Sequence, residues 1–213
     1  MKLYIARATC SLTAQIIANE AGIALDLIHY DVFGKTTSSG EDFADVNGLG
    51  YVPVLVLDNA ARDHITETGV VVSYLADLRP DAGLIPPVGS MERVKIEQLL
   101  TFTATEIAQK HIPLMRKLLT QDGAAWTRDK LVRAYAVLDQ RLADGRPFLT
   151  GDRFTVADAY VWGTMWHERS GAEIEHLAHL MAWKARMDAR PSVRKALTDE
   201  ADVVAAHENR LAA

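Results

Sequence analysis

The chain has 213 residues, a formal net charge of −5, and a composition that is 49% hydrophobic and 24% charged. This length allows two small domains or one large one, and either could bury a core. The acidic balance without a dense Lys/Arg block argues against a nucleic-acid partner, and no apolar run approaches the roughly 20 residues of a membrane span. A single cysteine excludes an intrachain disulfide, and Arg7 interrupts any signal-like apolar segment, so the sequence predicts a cytoplasmic protein.

The N-terminal part of the chain alternates strand and helix signals in the order β-α-β-loop-β-β-α. The patterns predict strands and helices at these positions: strands 2–5, 25–30, 54–57 and 64–66, and helices 12–21 and 69–78. Ser11 is predicted to cap the first helix and Gly22 to end it. Residues 31–46 are polar and predict a mobile loop with at most a short helix. This order is typical of an α/β thioredoxin-like N-terminal domain, here residues 1–80.

A proline- and glycine-rich linker follows, and no strand pattern is found beyond it. Residues 79–89 hold three of the seven prolines, which predicts a linker at 81–89. A long helix is predicted over residues 90–119, with a kink or break at Pro113. Further helices are predicted at 173–189 and 192–197. Residues 90–213 are therefore expected to form an all-α C-terminal helical domain.

Two local patterns in this second domain are specific. One set of apolar residues recurs at helical spacing and predicts one buried face: Leu131, Tyr135, Leu138 and Leu142. Thr155 and Asp158 have the spacing of a capping box, in which each residue satisfies a backbone N–H of the other. Asp158 is therefore predicted to be a structural cap.

Two features after residue 50 suit a peptide-like ligand. Pro53 precedes a strand, and a cis Val52–Pro53 bond would leave the N–H and C=O of Val52 free for an extended ligand. Glu67 and Thr68 lie where a strand ends and a helix begins. The N–H groups there could bind a carboxylate, while Glu67 binds an ammonium group.

These motifs, taken in order along the chain, resemble those of the cytosolic glutathione transferases. The resemblance rests on Met-Lys-Leu-Tyr at the start, Ala-Thr-Cys-Ser-Leu opening the first helix, Val-Pro before a strand, Thr-Glu-Thr before a helix, and Gly-x-x-x-Thr-x-Ala-Asp in the helical domain. Cys10, in place of an early catalytic Tyr or Ser, makes the chain similar to the bacterial beta class. The resemblance implies an enzyme of detoxification that conjugates glutathione to small hydrophobic electrophiles.

The resemblance also implies which residues bind glutathione, which is the co-substrate, with no metal required. Val52 and Pro53 would present backbone to the cysteinyl part of the tripeptide in an antiparallel contact. Glu67 and Thr68 would bind the γ-glutamyl end. Lys35 matches a family lysine that reaches the glycyl carboxylate.

The sulfur of glutathione would lie beside Cys10. Thr105 and Glu106 match a pair that, in the beta class, approaches the site from the neighbouring subunit, which implies a homodimer. The beta class carries a histidine two residues after this pair, where this chain has Ala108. His111, one helical turn away, could substitute for it or could merely line the cleft or the interface. Ile5 and Arg7 also replace a Tyr and a Pro that are common in the family.

Two mechanisms remain open for the thiol chemistry. Cys10 and Ser11 lie at a predicted helix N-terminus, which favours an anion. In one mechanism, Ser11 or nearby N–H groups stabilise the glutathione thiolate for attack on an electrophile. In the other, Cys10 forms a mixed disulfide with glutathione. Because position 13 is Thr13, a dithiol cycle is excluded.

Non-catalytic alternatives exist for the same residues. Cys10 could be a small buried hydrophobic residue, and Lys35 a solvated loop charge. The whole chain could also be a non-catalytic protein that binds glutathione or hydrophobic ligands on the same fold.

Overall fold

A computed structural model describes residues 1–212, which divide into two compact units. The first unit comprises Met1–Leu84 together with the C-terminal segment from Arg190, and the second comprises Ile85–Ala189. Among the described residues, no helix combines the length and apolarity needed to cross a bilayer.

The first unit is built on a mixed sheet with the strand order β3-β2-β1-β4-β5. The strands are β1 (Lys2–Ile5), β2 (Asp26–Asp31), β3 (Thr36–Thr37), β4 (Val54–Val56) and β5 (His64–Ile65). β1 is parallel to β2 and antiparallel to β4, so it lies at the centre of the sheet. The four predicted strands are confirmed to within one or two residues at each end, and β3 was not predicted.

Three helices follow the strands of this unit: α1 (Ser11–Ala21), α2 (Phe43–Val46) and α3 (Thr68–Asp77). Gly22 ends α1 in the left-handed conformation, with φ 63°, as predicted. The prediction that Ser11 caps this helix was wrong. Ser11 is the first helical residue, and the preceding Cys10 makes no side-chain capping bond.

Residues 31–46, predicted as a mobile loop, have defined structure and contain β3 and α2. The short helix was predicted, whereas the strand was missed because it is only two residues long. An aromatic cluster attaches this segment to the sheet: the rings of Tyr30 and Phe43 stack with centroids 4.0 Å apart, and Tyr4 packs beside Phe43. The hydroxyl of Tyr4 also donates a hydrogen bond to Glu41.

The second unit is entirely helical in its regular structure, as predicted. Its helices are α4 (Met91–Phe102), α5 (Gln109–Met115), α6 (Gln121–Leu142), α7 (Val156–Gly163), α8 (His167–Ser170) and α9 (Ala178–Asp188). Between α4 and α5, the segment Thr103–Ala108 is a π-helix. No break occurs at Pro113, which lies inside α5; the irregular hydrogen bonding falls before that helix.

Both specific patterns of this unit are confirmed. Leu131, Tyr135 and Leu138 are fully buried on α6. The capping box is present at α7, where the Asp158 carboxylate accepts the N–H of Thr155 at 3.0 Å. Asp158 also accepts the N–H of Leu149 at 2.8 Å and the indole N–H of Trp183 at 3.0 Å, so it joins three segments of the unit.

The last helix, α10 (Pro191–Ala212), packs with the first unit. The sequence predicted a helix over residues 192–197 only, within a domain spanning 90–213. In the structure Arg190, which immediately precedes α10, pairs with Glu20 of α1 at 2.6 and 2.8 Å, and the Ser192 carbonyl accepts from Asn19 at 3.1 Å. These contacts with α1 explain why α10 belongs to the first unit.

Candidate functional site

Cys10 lies between β1 and α1, beside the turn that contains the cis proline. The Val52–Pro53 peptide bond is cis, as anticipated from the sequence. The Cys10 thiol donates a hydrogen bond to the carbonyl oxygen of Val52, with a sulfur–oxygen distance of 3.3 Å. Within residues 1–212 the Val52 N–H has no acceptor, so it is available to an extended ligand.

Glu67 and Thr68 form the start of α3 and lie close to the same thiol. Glu67 has φ 63° and ψ 113°, an uncommon conformation for a non-glycine residue, and such conformations concentrate at ligand sites. Its carbonyl accepts the N–H groups of Val70 and Val71, each at 2.9 Å. Thr68 is buried, and its side chain lowers the pKa of the Cys10 thiol. Three separate segments of the first unit therefore meet at one sulfur atom.

The electrostatics of this position favour a neutral Cys10. Burial raises the pKa of the Cys10 thiol, and the negative charge of Glu67 acts in the same direction, while the hydrogen bond with Thr68 opposes them. For the Cys10 thiol itself, desolvation is the largest effect. At neutral pH Cys10 is a thiol that can donate its S–H.

Ser11 is fully buried, and its hydroxyl is used inside the protein. The Ser11 Oγ lies 2.8 Å from Thr9 Oγ1 and 3.3 Å from both the N and the O of Ala6. These contacts fasten the turn that follows β1. The Ser11 hydroxyl is thus engaged by Ala6 and Thr9 within the turn that leads to Cys10.

Lys35 lies on the segment between β2 and β3, in the left-handed conformation with φ 54°. Its N–H donates to the carbonyl of Asp31 at 2.7 Å, which fixes the backbone there. The side chain is exposed, and no hydrogen bond or ion pair to its ammonium group is found within residues 1–212. The structure leaves this cation available to a ligand, but it does not bring it into contact with Cys10.

Thr105 and Glu106 belong to the second unit and lie within its π-helix. The Glu106 carboxylate forms an ion pair with Lys110 at 2.6 Å, and the Thr105 hydroxyl donates to the carbonyl of Thr101 at 3.1 Å. The Glu106 side chain remains 46% exposed. A π-helical turn often marks a functional position, although no pattern in the sequence predicts it.

His111 does not replace the histidine that is absent at Ala108. It is fully buried in the second unit, where its Nδ1 lies 2.8 Å from Ser170 Oγ and its Nε2 lies 2.8 Å from Tyr135 Oη. Burial lowers the pKa of His111 to about 3. His111 is therefore a neutral core residue of the second unit.

Sequence reasoning missed Glu200 of α10. Its Oε1 accepts the N–H of Ala8, two residues before Cys10, at 2.9 Å, and the side chain is almost fully buried. The helical spacing of Val193, Ala196 and Val204 predicts that position 200 is buried. A charged residue at such a position is the signal that could have identified Glu200. No group of three or more His, Cys, Asp and Glu residues that could hold a metal ion occurs in the described part of the chain.

The sequence matches two family models. The model described as "Glutathione S-transferase, N-terminal domain" matches residues 9–78, and that described as "Glutathione S-transferase, C-terminal domain" matches residues 101–167. Glutathione S-transferase GstA of Escherichia coli O157:H7 is 34% identical over 201 residues, which cover 94% of this chain and 98% of the relative. Glutathione S-transferase GST-4.5 of Xanthomonas campestris is 30% identical over 94% of this chain and 98% of its own length.

Solved structures give the same result. A sphingomonad glutathione S-transferase complexed with glutathione has a TM-score of 0.88 and 32% identity, covering 94% of this chain and 99% of that one. A bacterial beta class enzyme from Sphingomonas chungbukensis has a TM-score of 0.87 and 32% identity, covering 94% of this chain and 98% of that one. The chain belongs to the glutathione S-transferase family and is similar to its bacterial beta class.

Proposed function

We propose that the first unit binds glutathione at Cys10, Val52, Glu67 and Thr68. The observation that carries this proposal is the convergence of these residues: the Cys10 sulfur lies 3.3 Å from the Val52 carbonyl oxygen, and both Glu67 and Thr68 influence the pKa of the Cys10 thiol. The cysteinyl backbone of glutathione pairs with Val52 beside Pro53, which places its sulfur next to Cys10.

The two charged ends of the tripeptide bind on either side of this contact. Glu67 and the N–H groups at the start of α3 hold the ammonium and carboxylate of the γ-glutamyl end. Lys35 holds the glycyl carboxylate, since its ammonium group is exposed and has no partner within residues 1–212. Because Lys35 is exposed, its contribution to glutathione binding is the most sensitive to salt among these proposed contacts.

The proposed reaction is conjugation of glutathione to a small hydrophobic electrophile. The glutathione thiol loses its proton to solvent, its sulfur forms a bond to the electrophilic carbon, and in an aryl halide the halide leaves as an anion. The protein increases the rate by stabilising the thiolate beside the electrophile. Cys10, held as a neutral thiol, donates its S–H to that thiolate. Ser11 contributes by positioning the turn, because its own hydroxyl is occupied by Ala6 and Thr9.

Thiol–disulfide exchange at Cys10 is proposed as a secondary activity. The Cys10 thiolate attacks oxidised glutathione, a Cys10–glutathione disulfide forms, and one glutathione leaves as a thiolate that takes up a proton. A second glutathione must resolve this disulfide, because the chain has a single cysteine. Burial raises the pKa of Cys10, so the exchange is slow at neutral pH and faster at alkaline pH.

The protein is further proposed to be a cytoplasmic homodimer with a role in detoxification. In this assembly Thr105 and Glu106 contribute to the glutathione site of the neighbouring subunit. The exposure of Glu106 on the π-helix supports this role, since the carboxylate is accessible despite its pairing with Lys110.

The alternative is a non-catalytic binding protein. The similarity to two bacterial enzymes that are named glutathione S-transferases, at 34% and 30% identity, favours catalysis. The test compares the wild type with Cys10→Ala by intact mass after incubation with oxidised glutathione, and by conjugation of chlorodinitrobenzene. The proposal predicts glutathione-dependent conjugation by the wild type, and a reductant-sensitive adduct of one glutathione that Cys10→Ala lacks. If the wild type neither conjugates nor forms a glutathione complex in a native mass spectrum, catalysis is rejected and binding of another ligand takes its place.

A further inference from the structure

The turn between β1 and α1, residues 6–10, requires external support. Ala8 has φ 53°, in the left-handed region that L-residues other than glycine disfavour. The N–H of Ala8 points to α10, where Oε1 of Glu200 accepts it at 2.9 Å. Two residues further along this turn is Cys10, whose sulfur contacts Val52.

Glu200 is an unusual residue for a buried helix face. It is 6% exposed, and no residue within 1–212 donates a hydrogen bond to its Oε2. A buried carboxylate with one unsatisfied oxygen is destabilising compared with an apolar residue of similar size. The nearest charged group that affects it is Arg7, which itself forms an exposed ion pair with Glu208 at 2.8 Å. Packing alone therefore does not explain why a glutamate occupies this position.

The position of the turn matters because the partners of Cys10 lie on other segments. Val52 precedes β4 and Thr68 begins α3, whereas Cys10 is attached to the turn. A shift of the turn would move the Cys10 sulfur relative to both partners without moving them. An error of about 1 Å in the placement of a reacting group can reduce a rate by up to about 100-fold.

We propose that Glu200 is a positioning residue, which holds the Ala8 N–H and thereby fixes Cys10 against the sulfur of bound glutathione. This inference rests on the proposed function for its catalytic consequence. Its structural part, that Glu200 sets the position and reactivity of Cys10, holds independently of glutathione. Glu200 acts through the turn and contacts neither the substrate nor the reacting atoms.

The test uses two substitutions of one residue and a matched control. Glu200→Met removes the acceptor but keeps an unbranched side chain, and Glu200→Gln keeps an acceptor oxygen without the charge. Asp202→Asn removes a solvent-exposed carboxylate from the same helix and serves as the control. Three quantities are measured on the full-length protein: amide exchange at Ala8, alkylation of Cys10 by iodoacetamide without glutathione, and kcat and KM for glutathione.

The proposal predicts that Glu200→Met folds but loses exchange protection at Ala8, while the amides of α1 remain protected. Its Cys10 alkylation rate should change by about threefold or more, and kcat should fall about tenfold, with KM for glutathione within about twofold of the wild type. Glu200→Gln should restore protection, alkylation and kcat to near wild-type values, as should Asp202→Asn.

A folded Glu200→Met protein with wild-type alkylation and kcat would overturn the proposal. If Glu200→Met does not fold, the proposal is judged on Glu200→Gln, which keeps the acceptor oxygen. Loss of exchange protection at Ala8, or loss of kcat, in folded Glu200→Gln would contradict the proposed role of the hydrogen bond. The two proposals fail differently. If the wild type binds no glutathione, the proposed function fails, while the exchange and alkylation rates still test Glu200.

Discussion

Glu200 also makes a specific contribution to the pH dependence of stability. Burial raises its pKa from 4.5 to about 7, against the opposing effects of the Ala8 hydrogen bond and of Arg7. Between these two pH values the folded protein keeps a proton that the unfolded chain releases. The free energy of unfolding therefore falls as pH rises through this window. The effect amounts to about 1.4 kcal/mol per unit of pKa difference, or about 3 kcal/mol in full.

The perturbation is Glu200→Gln, which cannot titrate. We compare the free energy of unfolding of this variant with that of the wild type at each pH. The difference, variant minus wild type, should increase by about 2.5 kcal/mol from about pH 5 to about pH 8. Buried histidines act in the opposite direction: burial lowers the pKa of His29 and of His111, so their contributions are lost as pH falls below about 6.5. Because both proteins contain these histidines, their effects cancel in the difference.

The assay is urea unfolding of the two proteins at several pH values, with the slope of the transition checked for constancy. Asp202→Asn is the control, and its difference from the wild type should stay within about 0.5 kcal/mol at every pH. If the difference in free energy of unfolding between Glu200→Gln and the wild type is independent of pH, or falls with rising pH, the pKa of Glu200 is not raised in the folded protein. Such a result would show that Glu200 is solvated or paired in the folded state.

Three further predictions concern other parts of the chain. Asp158→Asn replaces a buried carboxylate that accepts several N–H donors. Urea unfolding should show a free energy of unfolding lower by about 3 kcal/mol or more, and a decrease below about 1 kcal/mol would contradict this role. Gly34→Ala would place a methyl carbon 2.6 Å from Asp31 Oδ2 and displace this carboxylate, which accepts the N–H of Phe33. The variant should lose about 1 kcal/mol in the same assay, and an unchanged free energy of unfolding would contradict this contact. The pKa of His111 is lowered to about 3 by burial, so its ring nitrogen shifts should not titrate between about pH 5 and 8, and a midpoint near 6.5 would show a solvated imidazole.

Much of the fold could be predicted because its signals are local. The order of strands and helices, the buried face of α6 and the capping box at Asp158 each follow from residue types at fixed spacing. The residues proposed to bind the ligand were predicted from the sequence as pairs of neighbours, whereas the contact between Cys10 and Val52 could be seen only in the fold. The placement of Ser11 could not be predicted, because a serine at a helix start more often caps it.

The last helix shows why other parts could not be predicted. Beyond Ser192, the buried positions of α10 are occupied by Val193, Ala196, Glu200, Val204 and His207. Two of these are polar types, so the apolar spacing is interrupted and the helix was predicted to end near residue 197.

Those two polar residues are buried because each has a partner far away in sequence. Glu200 accepts from Ala8 at 2.9 Å, and the Nδ1 atoms of His207 and His29 lie 2.9 Å apart. Such pairings depend on tertiary structure and leave no periodic signal. The same applies to the π-helix, whose Thr105 and Glu106 were identified only through the family resemblance.

The central claim is that glutathione binds where Cys10, Val52 and Thr68 meet. The most direct test is calorimetric titration of glutathione into the wild type and Thr68→Val, with Thr198→Val as a control that removes an exposed hydroxyl from α10. We propose that the Thr68 hydroxyl donates to the γ-glutamyl carboxylate alongside the N–H groups at the start of α3. Thr68→Val should then weaken binding by about tenfold, since a hydrogen bond to a charged ligand group is worth about 1.5–3 kcal/mol, while Thr198→Val should bind as the wild type does. Equal affinity in all three proteins, or no binding by the wild type, would contradict this location of the site.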